Sequence, residues 1–112
     1  MAYFNLQEYD LSIESLNKVL ELEDGYAEAY FQRGNIYLVR KEYQKAVEDY
    51  SKVIELQTAG DTVYFNRAVA RLHLELIEEA KGDFEKVVEI TANEKMLQDA
   101  KNALDIIKEN TN

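Results

Sequence analysis

The chain repeats itself. Shifted by about 34 residues, Tyr30 falls on Tyr64, Phe31 on Phe65, Arg33 on Arg67, Leu38 on Leu72, Ala46 on Ala80 and Asp49 on Asp83. Lys52, Val53 and Glu55 fall on Lys86, Val87 and Glu89, and one period earlier on Lys18, Val19 and Glu21. Unrelated helices have no reason to share so many columns at one spacing. The chain is therefore an array of one supersecondary unit, whose copies stack to bury a continuous core. The stretch Ala27–Leu56 reads as two amphipathic helices joined by a short turn. Helix formers dominate and no segment alternates with period two, so the expected class is all-α.

The columns resemble those of the tetratricopeptide repeat family. Its first helix, A-Y-x-x-R-G-x-x-Y, is matched by Ala29, Tyr30, Arg33, Gly34 and Tyr37. Its second, A-x-x-D-Y-x-K-x-I-E-L, is matched by Ala46, Asp49, Tyr50, Lys52, Ile54, Glu55 and Leu56. The resemblance implies a right-handed superhelical array of antiparallel helix pairs in one domain. Its parts are a partial repeat at 1–26, repeats at 27–60 and 61–94, and a capping helix at 95–112. The sequence also departs from the family. The proline usual at the repeat boundary is replaced by Asp24, Thr58 and Ala92. Gly34 becomes Ala68 and Tyr37 becomes Arg71, which predicts less regular packing in the third repeat.

In this register residues 2–7 read as the end of a helix whose first half falls before Met1, and Asp10–Leu22 as a full second helix. Gly25 suits a left-handed cap after it. A stub near Tyr3 and Leu6 covers only the start of the next helix, so Leu16 and Val19 are expected to be partly exposed or covered by another chain. The next helices are expected at Ala27–Arg40 and Tyr43–Leu56, with Gly34 and Ala46 allowing close approach. Residues equidistant from a turn face each other, which sets Arg33 against Asp49 and Arg67 against Asp83. The partial repeat has Ser15 in the aspartate column, and its arginine column falls before Met1. Acid and base are absent together, as expected of structural ion pairs. Arg71, one turn after Arg67, is expected to share Asp83, with Glu79 nearby. Asn93 is a candidate N-cap with Glu94 in the first turn. Leu97, Ala100, Leu104 and Ile107 form the face of the last helix that packs on the third repeat.

The formal net charge is −9, and residues 1–30 carry seven acids against one base, Lys18. Nucleic acid is excluded as a partner, because its affinity comes mostly from bases neutralising phosphates. The acidity serves solubility, or favours basic or neutral partner segments. No apolar run is long enough to span a membrane. The chain has no cysteine, which rules out disulfide and thiolate chemistry and fits a cytoplasmic setting; a processed leader would leave no trace. His73 is the only histidine. No phosphate loop, metal-ligand spacing or base-activated nucleophile is present, so neither an enzyme nor a cofactor is expected.

What the resemblance supplies is a concave groove lined by the first helix of each repeat. Carried over column by column, it comprises Phe4, Asn5, Phe31, Gln32, Asn35, Leu38, Phe65, Asn66, Val69 and Leu72. Glu28, Val39, Thr62, His73, Met96, Asp99, Ala103 and Ile106 lie in the same columns. The implied function is a non-catalytic module that takes a protein or peptide segment. Phe31 and Phe65 would be its anchors, with Asn35 and Asn66 bonding the ligand backbone. Family members that clamp the acidic tail of heat-shock chaperones need lysine and arginine in the columns of Phe65 and Val69. Asn35 matches that clamp, but the bases are missing, so this partner is rejected. The alternative is a self-associating scaffold, a homo-oligomer in which Leu16 and Val19 pack against another chain.

Overall fold

The computed structural model describes residues 6–56 and 58–110. Among these it forms six helices and no strand: α1 (Leu6–Leu22), α2 (Ala27–Val39), α3 (Tyr43–Glu55), α4 (Asp61–His73), α5 (Ile77–Ile90) and α6 (Glu94–Asn110). Each helix packs on the next in sequence, most extensively α2 on α3 and α4 on α5, and α2 also touches α4. This is the neighbour-to-neighbour stacking of a helical repeat array. The Cα radius of gyration is 14.8 Å and the extents are 45 × 29 × 27 Å. A globular chain of this length would have a radius of about 13 Å, so the array is elongated.

The two hairpins turn in the same way. Lys41 (φ 64°) and Glu75 (φ 62°) are the two non-glycine residues with positive φ among those described, and they share one repeat column. On either side the backbone closes a Schellman motif. Lys41 N–H donates to the Leu38 carbonyl (3.0 Å) and Glu42 N–H to that of Tyr37 (2.8 Å). Glu75 and Leu76 N–H do the same to Leu72 (3.0 Å) and Arg71 (2.9 Å).

Two local expectations fail. Gly25 does not supply a left-handed cap, since no described glycine has positive φ. The chain instead leaves α1 through a turn in which Tyr26 N–H donates to the Glu23 carbonyl (3.3 Å). Nor does a turn separate residues 2–7 from a helix beginning at Asp10, because α1 runs unbroken from Leu6 to Leu22. Gln7 stands in the column of Lys41, where a left-handed residue would be needed. That conformation is unfavourable for an L-residue. At Lys41 it is compensated by the packing of α2 on α3, whereas continuing the helix at Gln7 keeps the i→i−4 bonds. Tyr3 lies outside the described residues.

Two buried clusters form the core. One joins Ala46, Val47, Tyr50, Val53, Val63 and Ala70. The other joins Ala68, Ala80, Phe84, Val87, Ala100 and Ile107. Gly34 lets α2 approach α3: a Cβ there would stand 3.0 Å from Tyr50 Cε1 and 3.2 Å from Asp49 Cβ. The third repeat is not loosened by its alanine, because Ala68, Ala80, Phe84 and Val87 are all at most 1% exposed. There the ring opposite is Phe84 instead of Tyr50, which carries no hydroxyl to place. α6 lays Ala100 and Ile107 on this core. Its columns equivalent to Tyr30, Arg33, Gly34 and Tyr37 hold Gln98, Lys101, Asn102 and Asp105, all exposed. The face on which α2 and α4 receive a following helix is thus polar in α6. Asn93 Oδ1 caps the helix by accepting from Met96 N–H (2.8 Å).

Candidate functional site

Two arginines fix the helices that carry the groove columns. Arg33 donates Nε (2.8 Å) and a terminal nitrogen (2.7 Å) to the two oxygens of Asp49, and its other terminal nitrogen to Asn17 Oδ1 (2.7 Å). Arg67 repeats the pattern on Asp83 (2.9 and 2.7 Å) and on Ser51 Oγ (3.0 Å). Each guanidinium therefore joins three helices: its own, the partner in its hairpin, and the second helix of the preceding repeat. The bidentate geometry suits a carboxylate that is only 4% exposed. Hydrogen bonding to Asp49 raises the Arg33 pKa above its usual value, against the lowering effect of burial. Arg33 also lies over the rings of Tyr30 (5.6 Å) and Tyr37 (5.9 Å). In the third repeat Arg71 replaces the second ring and donates to Asp83 Oδ2 at 2.8 Å. The expected participation of Glu79 is not seen among the described contacts.

The groove columns lie on α2, α4 and α6. Phe31 and Phe65 are half-buried. Phe31 tilts against Tyr50 (centroids 6.3 Å apart) and Phe65 meets Phe84 edge-on (5.6 Å). Each ring packs on the core and also lines a cleft. Beside Phe31 the cleft measures about 310 Å³ and is walled by Ala27, Val53 and Val63, with Glu28, Thr58, Gly60, Asp61 and Thr62 around it. Beside Phe65 the cleft measures about 260 Å³ and is lined by Asn93, Lys95, Met96 and Asp99. A third, apolar cleft of about 270 Å³ lies among Leu72, Ile77, Ala103, Ile106, Ile107 and Asn110.

A chain of polar contacts joins α2, α3 and α4. Tyr50 donates its hydroxyl to Asn35 Oδ1 (2.5 Å), and Asn66 Nδ2 donates to the same oxygen (3.2 Å). Burial pushes the Tyr50 hydroxyl pKa above its ordinary value, with Asn66 pulling the other way. Asn35 and Asn66 are therefore turned towards each other across the repeat boundary. The Asn35 oxygen and the Asn66 side-chain nitrogen are engaged internally. Asn35 Nδ2 and Asn66 Oδ1 have no partner among the described residues.

The remaining candidates are dispersed. Leu38, Val69 and Leu72 are half-buried against the core. Gln32 is exposed and donates to Glu28 Oε1 at 3.1 Å. Leu16 and Val19 are half-buried on α1, and Leu16 lines a cleft of about 300 Å³ with Leu11, Ser12, Ser15 and Gln32. Phe4 and Asn5 lie outside the described residues. His73 stacks face to face on Tyr43 at 4.3 Å and 4°. This contact between repeats is invisible to a search along single helices. The contacts of Arg33 with Asn17 and Arg67 with Ser51 also escape the sequence reading, although Asn17 and Ser51 share a column. Among the described residues no group of three or more His, Asp or Glu is placed to hold a metal ion. No described helix is long and apolar enough to cross a membrane.

Comparison with known proteins follows the repeat. A sequence profile described as tetratricopeptide repeat matches residues 27–57. A second profile of the same description matches residues 1–26 and 61–94. No match appears among curated proteins. The first such domain of Spaghetti (RPAP3), solved with the HSP90 peptide SRMEEVD, is similar with a TM-score of 0.81 and 27% identity, covering 94% of this chain and 81% of that one. The second such domain of human RPAP3, solved with the HSP70 peptide SGPTIEEVD, has a TM-score of 0.77 and 27% identity, covering 91% and 82%. The Yersinia enterocolitica type III secretion chaperone SycD, in complex with a peptide of the translocator YopD, has a TM-score of 0.85 at 16% identity, covering 95% and 84%. That likeness is one of fold alone. With its repeated columns, its successive helix hairpins and profile matches across most of its length, the chain belongs to the tetratricopeptide repeat family.

Proposed function

We propose that the chain is a non-catalytic protein–protein interaction module that holds an extended or helical segment of a partner along α2, α4 and α6. The observation that carries this reading is the Asn35–Asn66 pair, held by Tyr50 on the helices that carry the two half-buried rings. Its open Nδ2 and Oδ1 atoms offer one donor and one acceptor, the two functions a peptide backbone needs. Phe31 and Phe65 add apolar surface on the same two helices. Fold neighbours at 27% identity bind peptides, which supports the class of partner. The test is to select random dodecapeptides on the intact chain and to measure the affinity of the recovered peptides. Replacing Phe31 and Asn35 together by alanine should keep the helical spectrum and weaken binding at least about tenfold. Undiminished binding would overturn the reading.

The acidic peptides bound by those neighbours are not the partner on this reading. Phe65 and Val69 occupy the columns where a carboxylate clamp needs cations, and no lysine or arginine lines the Phe31 cleft. Titration with SRMEEVD should give no saturable binding, and saturable binding blocked by a selected peptide would contradict the exclusion.

A self-associating scaffold is the second reading. It is favoured by the exposed apolar side chains of α1, Leu11 (56%) and Leu22 (90%), of which Leu11 lines the cleft with Leu16. Light scattering across concentration separates the two readings. A dimer dissociated by Leu16→Glu would support the scaffold, and a monomer at every concentration would remove it.

A further inference from the structure

The clefts beside Phe31 and Phe65 share three repeat columns, Phe31 with Phe65, Asp61 with Lys95 and Thr62 with Met96, but carry different charges. Beside Phe65 the chain provides its own cation: Lys95 lines the cleft, with Nζ 3.3 Å from Asp99 Oδ2. In the Phe31 cleft the column of Lys95 holds Asp61, and Glu28 stands on the opposite helix. Two carboxylates therefore flank an aromatic ring, and no lysine or arginine is among the lining residues. Both acids have local roles. Glu28 and Asp61 lie in the first turns of α2 and α4, where they complement the helix dipole. Asp61 Oδ2 also accepts from Thr91 Oγ1 (2.6 Å). These roles leave both groups without a cation among the described residues. A lysine or arginine side chain matches such a place: its stem covers apolar wall while its head stays near water and carboxylate, and a ring face adds attraction. At the other end of the groove columns, the cleft among Leu72, Ile77, Ala103 and Ile106 is apolar, and Ile106 is 58% exposed. It suits a side chain without charge.

We infer that the partner segment is basic and apolar in turn, with a lysine or arginine entering the Phe31 cleft and a separate large aliphatic side chain entering the Leu72–Ile106 cleft. The inference rests on the groove reading proposed above and names the chemistry of its ligand.

The probe is the pool of random dodecapeptides selected on the intact chain. The pool should be enriched in peptides carrying both a lysine or arginine and a leucine, isoleucine or methionine. The best of them should weaken about three- to tenfold when Glu28→Gln and Asp61→Asn are combined, and should weaken as salt is raised. The Asp61→Asn change keeps an acceptor for Thr91, and circular dichroism checks that the fold persists. Ile106→Ser, at an exposed position, should weaken the same peptide without changing its salt dependence. Enrichment in acidic residues, or equal enrichment of all charges, would overturn the two-point inference while leaving the groove in place. Peptides whose binding survives Phe31→Ala with Asn35→Ala would overturn the groove itself, as would a pool with no enrichment.

Discussion

Asp49 and Asp83 are each 4% exposed, yet their loads differ. Asp49 receives one guanidinium, whereas Asp83 receives those of Arg67 and Arg71. Arg71 Nε is buried with no hydrogen-bond partner among the described residues. Removing the acid strands cations that are 14–20% exposed by side chain. Asp49→Asn should therefore cost about 2–3 kcal/mol, below the range for a fully buried pair. Asp83→Asn should cost more, because it leaves two charges uncompensated. Urea unfolding of the two variants gives the comparison, and equal losses would contradict the shared-acid account. Tyr50 offers a test in pH. Its folded pKa lies above the ordinary tyrosine value of 10.0, so the stability it contributes is complete below about pH 10 and is lost as pH rises beyond that. Tyr50→Phe should lose about 1 kcal/mol at neutral pH with its bond to Asn35, and should fall less steeply than the parent above about pH 10. Parallel alkaline curves would show that Tyr50 is not a source of the loss.

At the scale of elements, the turns carry measurable strain. Lys41 and Glu75 adopt positive φ, at a cost of roughly 1 kcal/mol each relative to glycine. Lys41→Gly should raise stability by about 0.5–1 kcal/mol in thermal unfolding, the gain being reduced by the greater freedom of glycine in the unfolded chain. A loss would mean that the Lys41 side chain does more than turn the chain. The α6 cap is a second element test. Asn93→Ala should cost about 1 kcal/mol and speed amide exchange first in the opening turn of α6. These elements also mark where the sequence stops being informative. The repeat period, the helix pairing and the four ion-pair residues follow from spacing, because hairpin geometry makes opposed residues a simple count from the turn. The left-handed turns do not, since lysine and glutamate carry no local signal for them. The unbroken α1 is hidden too, because column matching implies a turn at Gln7 and spacing alone does not tell a turn from a continued helix. The columns place Asn35 and Asn66 in the groove without their mutual bond. That bond spans 31 residues and depends on a tyrosine hydroxyl from a third helix.

At the scale of the whole molecule, the array offers two kinds of surface. Its first and last described helices differ in chemistry: α6 is polar and exposed at Gln98, Lys101, Asn102 and Asp105, while α1 exposes Leu11 and Leu22. Its groove columns combine half-buried rings, an internally oriented amide pair and clefts of unlike charge. The central claim is that partner segments lie along α2, α4 and α6. The most direct measurement is the change in backbone amide resonances when a selected peptide is titrated into the isotope-labelled chain. The account predicts saturable shifts centred on Phe31, Asn35, Asn66, Val69 and Leu72, with the buried faces of α3 and α5 little changed. Shifts confined to α1, or to the outer surfaces of α3 and α5, would contradict it.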